Sequence, residues 1–175
     1  DRKVNTDWYK LLNETDLGLK DKWKNSVEIS DWKTMNIPGY WADGELGNTN
    51  GSVWFKKEFT LENIKENQAK VILGRIVDAD SVFVNGQFVG TTSYQYPPRI
   101  YSFNPNILKE GKNEITVRII NNSGRGGFVT DKPYELIVDD KTIDLKGIID
   151  EALEKSPCVE KVLVVKRTNE TVHMK

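Results

Sequence analysis

The segment SVFVNGQFVGT, residues 81–91, decides the fold class because it contains two β-rich runs joined by a two-residue turn. Asn85-Gly86 stands at its centre, and a hairpin turn of type I′ needs positive φ at both central positions. Glycine adopts that conformation at little cost, and asparagine tolerates it better than most residues do. The segment therefore predicts an antiparallel β-hairpin.

Further short β-rich runs lie on both sides of this hairpin, with turn signals between them. Asn113 to Ile120 alternates, which places Ile115, Val117 and Ile119 on one face of a strand. Short strands without intervening helices are typical of an antiparallel sandwich. We expect a mainly β, jelly-roll-like sandwich over residues 31–140, with strands near 53–59, 70–76, 81–84, 87–91, 113–120 and 134–138.

The two flanking regions have a different pattern. Residues 1–30 predict one amphipathic helix, with Thr6 or Asp7 as its cap and an apolar stripe of Trp8, Leu11, Leu12, Leu19 and Trp23. Residues 141–175 predict a small helix-strand appendage. Its helix carries Leu145, Ile148, Ile149, Ala152 and Leu153 on one side, and the run 159–165 follows as the strand.

Composition and charge exclude several classes of function. The 175 residues contain 25 Lys and Arg and 26 Asp and Glu, so the net charge is −1. Nucleic-acid binding needs clustered basic residues, and this balance argues against such a partner. No run approaches the ~18 apolar residues of a membrane helix. Cys158 stands alone, and no motif indicates a cofactor.

The carboxylates Asp78 and Asp80 lie two residues apart, so in a strand they would share a face. A shared face would suit acid–base chemistry or a metal ion. As turn residues before the hairpin they would instead bind the local backbone, and we favour that interpretation. Since no His, Cys or third carboxylate stands at ligand spacing, we predict neither a metal site nor a catalytic one.

Five residues have the chemistry of a carbohydrate site, where flat rings cover the apolar face of a sugar and polar groups bind its hydroxyls. They fall in loops or at strand edges, where binding residues concentrate. For Trp41 the alternative is packing inside the sandwich. Arg99 follows two prolines, and its alternative role is to pin that loop against a carboxylate. The candidates are Tyr40, Trp41, Tyr94, Tyr96 and Arg99.

Several motifs resemble the domain inserted in bacterial sialate O-acetylesterases. They are WKTMNIPGYW (32–41), VWFKKEF (53–59), LGRIVDAD (73–80), PRIY (98–101) and GKN (111–113). The resemblance covers about residues 5–145. A looser version of the same motifs occurs in the sugar-binding domain of β-galactosidase-like glycoside hydrolases.

The resemblance implies a galactose-binding-like sandwich that binds a glycan or sialoside, or shapes a substrate cleft, beside an SGNH-type esterase domain. In that family the nucleophile lies in a Gly-Asp-Ser motif upstream and the catalytic histidine lies downstream. This chain has no Gly-Asp-Ser, and His173 lies outside the resembling segment. We therefore expect a non-catalytic module of a periplasmic or extracellular bacterial esterase. The alternatives are a purely structural spacer or the sugar-binding domain of a glycoside hydrolase.

The resemblance also implies roles for the two ends of the sandwich segment. The helix at residues 6–23 corresponds to the last piece of esterase before the insertion. The glycine-rich loop NNSGRGGF (121–128) faces the catalytic domain in that family, so Arg125 and Phe128 are candidate contacts to that domain.

The C-terminal tail departs from this family. Ile148 to Lys155 and Val162 to Thr168 resemble a stretch of acetyl-CoA synthetase, while Thr142 to Gly147 is compatible with both families. We therefore expect a chimera with its junction in this short shared segment, and a tail that docks weakly on the sandwich. A natural divergent extension is the alternative.

Overall fold

The computed structural model describes residues 2–25, 32–44, 46–65, 67–146 and 163–164. In this part of the chain the fold is mainly β and every strand pairing is antiparallel, which confirms the predicted sandwich class. Two helices precede the strands, α1 (Arg2–Thr15) and α2 (Leu17–Lys20). Neither is long and apolar enough to cross a membrane.

The strands are β1 (Lys33–Thr34), β2 (Gly39–Tyr40), β3 (Gly51–Leu61), β4 (Ala69–Leu73), β5 (Ile76–Val77), β6 (Ala79–Val84), β7 (Gln87–Thr92), β8 (Ile100–Phe103), β9 (Gly111–Asn121), β10 (Gly127–Phe128), β11 (Tyr134–Val138), β12 (Lys141–Asp144) and β13 (Leu163–Val164). Among the described residues they form three sheets. The largest has the order β1-β13-β3-β9-β6-β7, the second β12-β11-β4-β8 and the third β2-β10-β5.

The Asn85-Gly86 hairpin forms as predicted between β6 and β7. Asn85 has φ +48° and Gly86 has φ +78°, and Val84 pairs with Gln87 across the turn. The Asn85 side chain also donates to the Ile107 carbonyl and accepts from the Glu114 amide. Its amide group thus fixes the hairpin to the neighbouring strand β9.

The longest pairing joins β3 to β9, from Gly51 opposite Asn121 to Leu61 opposite Gly111. Val53, Phe55 and Val117 point inward and pack in the core between the sheets. Side chains on the opposite, outer face are buried as well, and Trp54 there has no exposed surface. Burial on both faces explains why Val53, Trp54 and Phe55 follow one another in β3 without the alternation of a strand buried on one side.

The outer face of β3 and β6 is covered by the N-terminal segment. Trp23, Trp54 and Phe83 form a second apolar cluster there, against which Leu17 and Trp32 pack. The Trp54 ring stacks on Phe83 with centroids 6.2 Å apart. The amphipathic N-terminal segment therefore closes the outer face of the large sheet.

The single N-terminal helix expected from the sequence is divided at Asp16. Asp16 has extended backbone dihedrals, and its carboxylate accepts hydrogen bonds from the Gly18 and Leu19 amides at the start of α2. The same carboxylate accepts from Trp54 Nε1 at 2.9 Å and from Arg118 Nε at 2.6 Å. Capping α2 and binding the sheet at once requires a break in the helix.

The end of the sandwich segment includes β12, which pairs along its length with β11. Leu145 is buried in the core behind it. The predicted helix that continues from Leu145 lies outside the described residues, apart from Leu145 and Lys146 themselves. Of the predicted strand 159–165 the structure describes β13, which pairs with Phe55 and Lys56 of β3. The division into 1–30, 31–140 and 141–175, and the weak docking of the tail, stay predictions.

We expect Asp16→Ala to lower the free energy of unfolding by about 3 kcal/mol, because it leaves the buried Arg118 guanidinium without its counter-charge. It also removes the partner of the Trp54 indole N–H. Urea denaturation followed by tryptophan fluorescence measures this change. Glu58→Ala is the control, since Glu58 pairs with Lys112 at the exposed surface; its effect should stay below about 1 kcal/mol. If both variants lost the same unfolding free energy, the buried Asp16–Arg118 pair would be no more stabilising than a surface pair.

Candidate functional site

Four loops meet at one end of the large sheet, as the strand register shows. Gly51 lies opposite Asn121, Ala79 opposite Ile120, and Asp80 opposite Thr92. The connections that enter β3 and β6 and leave β7 and β9 therefore lie at this end. We call it the loop end, defined by residues 46–50, 78, 93–99 and 122–126. The Asn85-Gly86 hairpin lies at the opposite end.

Tyr94 and Tyr96 are exposed on the loop that leaves β7, with 56% and 66% of their surfaces accessible. Their ring centroids are 6.3 Å apart and the planes are inclined by 65°. Two aromatic faces thus reach solvent side by side. The structure places these two predicted site residues together on one surface.

Arg99 follows these tyrosines but is fully buried, so it is not available to a ligand at the surface. Its Nε donates to Asp80 Oδ1 at 2.6 Å and its Nη1 to the Pro97 carbonyl at 2.7 Å. Its Nη2 donates to the Asp78 carbonyl at 2.8 Å. The guanidinium pins the loop against a carboxylate, which is the alternative role that the sequence suggested.

Asp80 lies inside β6 rather than in a turn, so the interpretation of this residue as a turn residue is wrong. Its second carboxylate oxygen accepts a hydrogen bond from the Tyr101 hydroxyl at 2.7 Å. Burial raises the pKa of Asp80, while the hydrogen bonds from Tyr101 and Arg99 oppose that shift. Asp78 instead accepts from the Asn122 amide at 3.1 Å. Both carboxylates hold the loops together.

Metal binding finds no support in the part of the chain that the structure describes. There, no three His, Cys, Asp or Glu side chains cluster closely enough to hold a metal ion.

Trp41 is also buried, with 1% of its surface exposed. Its ring stacks on Phe55 with centroids 6.1 Å apart, and its Nε1 donates to the Thr49 carbonyl at 3.3 Å. Gly126 lies against the indole, where a Cβ atom would come within 1.9 Å of a ring carbon. Trp41 therefore packs in the sandwich and offers no surface to a sugar in this structure.

Arg125 and Tyr40 form a contact at the rim of the loop end. The Arg125 guanidinium carbon lies 4.2 Å from the centroid of the Tyr40 ring, a cation–π arrangement. Arg125 also pairs with Asp43, and its hydrogen bond lowers the pKa of that carboxyl. Both partners of this ion pair are largely exposed. Phe128, by contrast, is buried against Phe55 and Tyr134 in the core and cannot contact another domain directly.

Tyr9 of α1 is influenced by two residues of the loop end, Asp78 and Asn122, which the sequence reasoning missed. Burial and the charge of Asp78 raise the pKa of its hydroxyl, while a hydrogen bond from the Asn122 side chain lowers it. Tyr9 also packs edge-on against Trp8, with ring centroids 4.9 Å apart. In the sequence, Trp8 and Tyr9 lie within a predicted helix. Nothing in that local pattern indicates a partner such as Asn122, more than a hundred residues away.

A β-sandwich with exposed side chains on loops at one end is a common arrangement for ligand-binding domains. The profile of the family "Glycosyl hydrolases family 2, sugar binding domain" matches residues 2–153. Because this match covers most of the chain, the chain belongs to that family. No curated protein matches it.

Solved structures show the same fold. A β-glucuronidase from an uncultured Clostridium is 22% identical with a TM-score of 0.53, covering 61% of this chain and 19% of its own. Ruminococcus gnavus β-glucuronidase is 22% identical with a TM-score of 0.54 and the same coverage. A family 2 glycosyl hydrolase from Bacteroides cellulosilyticus is 21% identical with a TM-score of 0.52, covering 59% and 16%. The chain spans about a fifth of these proteins.

These findings favour the looser resemblance, to the sugar-binding domain of β-galactosidase-like glycoside hydrolases, over the resemblance to the esterase domain. They support a sugar-binding domain of glycoside hydrolase type, and they give no support to an esterase parent. The family match also runs through residue 153, past the shared segment at 142–147. It therefore gives no support to a chimera with its junction there.

We expect Gly126→Ala to lower the free energy of unfolding by about 2 kcal/mol more than Gly124→Ala, because the new methyl group would collide with the buried Trp41 ring. Gly124 is the matched control. Both glycines have positive φ, yet a Cβ at Gly124 meets no atom within 4 Å. Urea denaturation measures both. Equal losses would show that backbone strain alone is responsible and that the packing against Trp41 is loose.

Proposed function

We propose that the loop end binds a β-linked glycoside, and that this chain is the sugar-binding sandwich of a family 2 glycoside hydrolase whose catalytic residues lie elsewhere in the parent protein. Membership of the sugar-binding-domain family carries the proposal. The β-glucuronidases with the same fold make glucuronides the first ligands to test.

The exposed Tyr94 and Tyr96 rings support a sugar contact at this end. Aromatic rings offer a large, rigid apolar face at a small cost in conformational entropy, which suits the apolar face of a pyranose. A solvated pair of rings inclined to one another can contact two sides of one sugar ring or two successive sugars. The exposed Ser123 hydroxyl, 3.0 Å from Asn122 Oδ1, adds polar groups at the same end.

A structural spacer is the second candidate. The burial of Trp41, Arg99 and Phe128 favours it, because these predicted contact residues stabilise the sandwich itself. In a spacer the exposed tyrosines would touch the rest of the parent protein rather than a sugar. An esterase parent, with a sialoside as ligand, rests on the sequence motifs alone.

Titration of the full chain with methyl β-D-glucuronide and methyl β-D-galactoside, by calorimetry, tests sugar binding. We expect saturable binding to one of them, weakened about tenfold by Tyr94→Ala or Tyr96→Ala, since one aromatic–sugar contact contributes on the order of 1 kcal/mol or more. Phe88→Ala is the matched control. Phe88 is 58% exposed, and it lies beside the hairpin at the opposite end.

The control should leave the dissociation constant unchanged. Binding of neither glycoside, or equal weakening by Phe88→Ala, would refute a site at the tyrosines and favour the spacer.

A further inference from the structure

The sandwich contains two buried arginine–aspartate pairs with the same distance between Nε and the carboxylate. Arg99 Nε lies 2.6 Å from Asp80 Oδ1, and Arg118 Nε lies 2.6 Å from Asp16 Oδ2. All four side chains are at least nine-tenths buried. Arg118 joins the sheet to the N-terminal helices, whereas Arg99 joins the sheet to the loop that carries the exposed tyrosines.

Arg99 fixes the end of that loop through its backbone and its side chain. Its amide donates to the Gly74 carbonyl at 2.8 Å, and its carbonyl accepts from the Leu73 amide at 2.9 Å. The guanidinium then reaches back to the Pro97 carbonyl, inside the loop. The backbone of Arg99 is thus bonded to the end of β4, while its side chain bonds both the loop, at Pro97, and β6, at Asp80.

The other end of the loop, at Thr92, is linked to the same carboxylate through Tyr101 of β8. Tyr101 donates to Asp80 Oδ2, and the Tyr101 hydroxyl lies 2.7 Å from Thr92 Oγ1. The Tyr101 ring packs over Gly90 of β7, where a Cβ would come within 2.2 Å of the ring. Asp80 therefore holds one end of the segment 93–98 directly through Arg99 and the other end through Tyr101, and the two tyrosines lie between them.

The same guanidinium also reaches the neighbouring loop. It donates to the Asp78 carbonyl, and the Asp78 carboxylate accepts from the Asn122 amide. The buried Arg99–Asp80 pair is thereby connected to three segments of the loop end, namely residue 78, residues 93–99 and residues 122–126.

We propose that the Arg99–Asp80 pair is the positioning element of the sugar site: it holds the Tyr94 and Tyr96 rings in their binding arrangement and so sets the affinity for sugar. The effect on affinity rests on the proposed function. A rigid loop binds more tightly because it loses less conformational freedom on binding. Lysine keeps the charge of Arg99 but cannot make three divergent hydrogen bonds from one planar group.

The test compares Arg99→Lys with Arg118→Lys in the full chain, since both arginines are at least nine-tenths buried and each pairs with its aspartate at 2.6 Å. Three quantities are measured on each variant: the dissociation constant for the methyl glycoside that the unaltered chain binds, the melting temperature, and hydrogen exchange of the amides at residues 93–96. We expect both variants to melt lower than the unaltered chain.

Only Arg99→Lys should raise the dissociation constant, by about tenfold, and speed exchange at residues 93–96. Arg118→Lys should leave both within about twofold of the unaltered chain. Equal changes in the two variants, or none in Arg99→Lys, would overturn the proposal. If Arg99→Lys does not fold, Asp80→Asn and Asp16→Asn replace the pair and are judged by the same criteria.

The sugar-binding proposal and the positioning proposal fail in different ways. If the unaltered chain binds neither glycoside, the proposed function fails, and exchange at residues 93–96 alone decides whether Arg99 positions the tyrosines. Selective loosening in Arg99→Lys then supports the positioning role, and equal exchange in both variants refutes it.

Discussion

The eleven-residue pairing of β3 with β9 is the constraint on which the rest of this structure depends. Its inner face forms one wall of the sandwich core, and its outer face is buried beneath the N-terminal helices. A strand pair buried on both sides must satisfy its polar side chains internally. Arg118 and Lys56 do so on the outer face, where they pair with Asp16 and Glu114.

The same pairing places the candidate site. Because β3 begins where β9 ends, the loops before β3 and after β9 lie side by side, and the register of β6 and β7 adds the tyrosine loop to the same end. The buried Asp80 and Arg99 and the half-buried Asp78 then bind these loops to one another. A rigid sheet with functional side chains on its loops is the common arrangement for binding domains.

The sequence predicts the local features of this fold well and its long-range polar contacts poorly. Asn85-Gly86 and the alternation of residues 113–120 identify their elements because turn geometry and strand period are local properties. The break at Asp16 depends on Arg118, which is 102 residues away, and no local pattern reports it. Trp41 and Arg99 have the composition of a binding site, but only the tertiary structure shows that both are buried.

The roles proposed for Tyr94, Tyr96 and Arg99 all depend on sugar binding at the loop end. The most direct measurement is an NMR titration of the ¹⁵N-labelled full chain with methyl β-D-glucuronide and methyl β-D-galactoside, following the backbone amides. One of the two glycosides should shift the amides of residues 93–96 and 122–125 and leave those beside the Asn85-Gly86 hairpin unchanged. Shifts centred on the hairpin end, or none with either glycoside, would contradict sugar binding at the loop end.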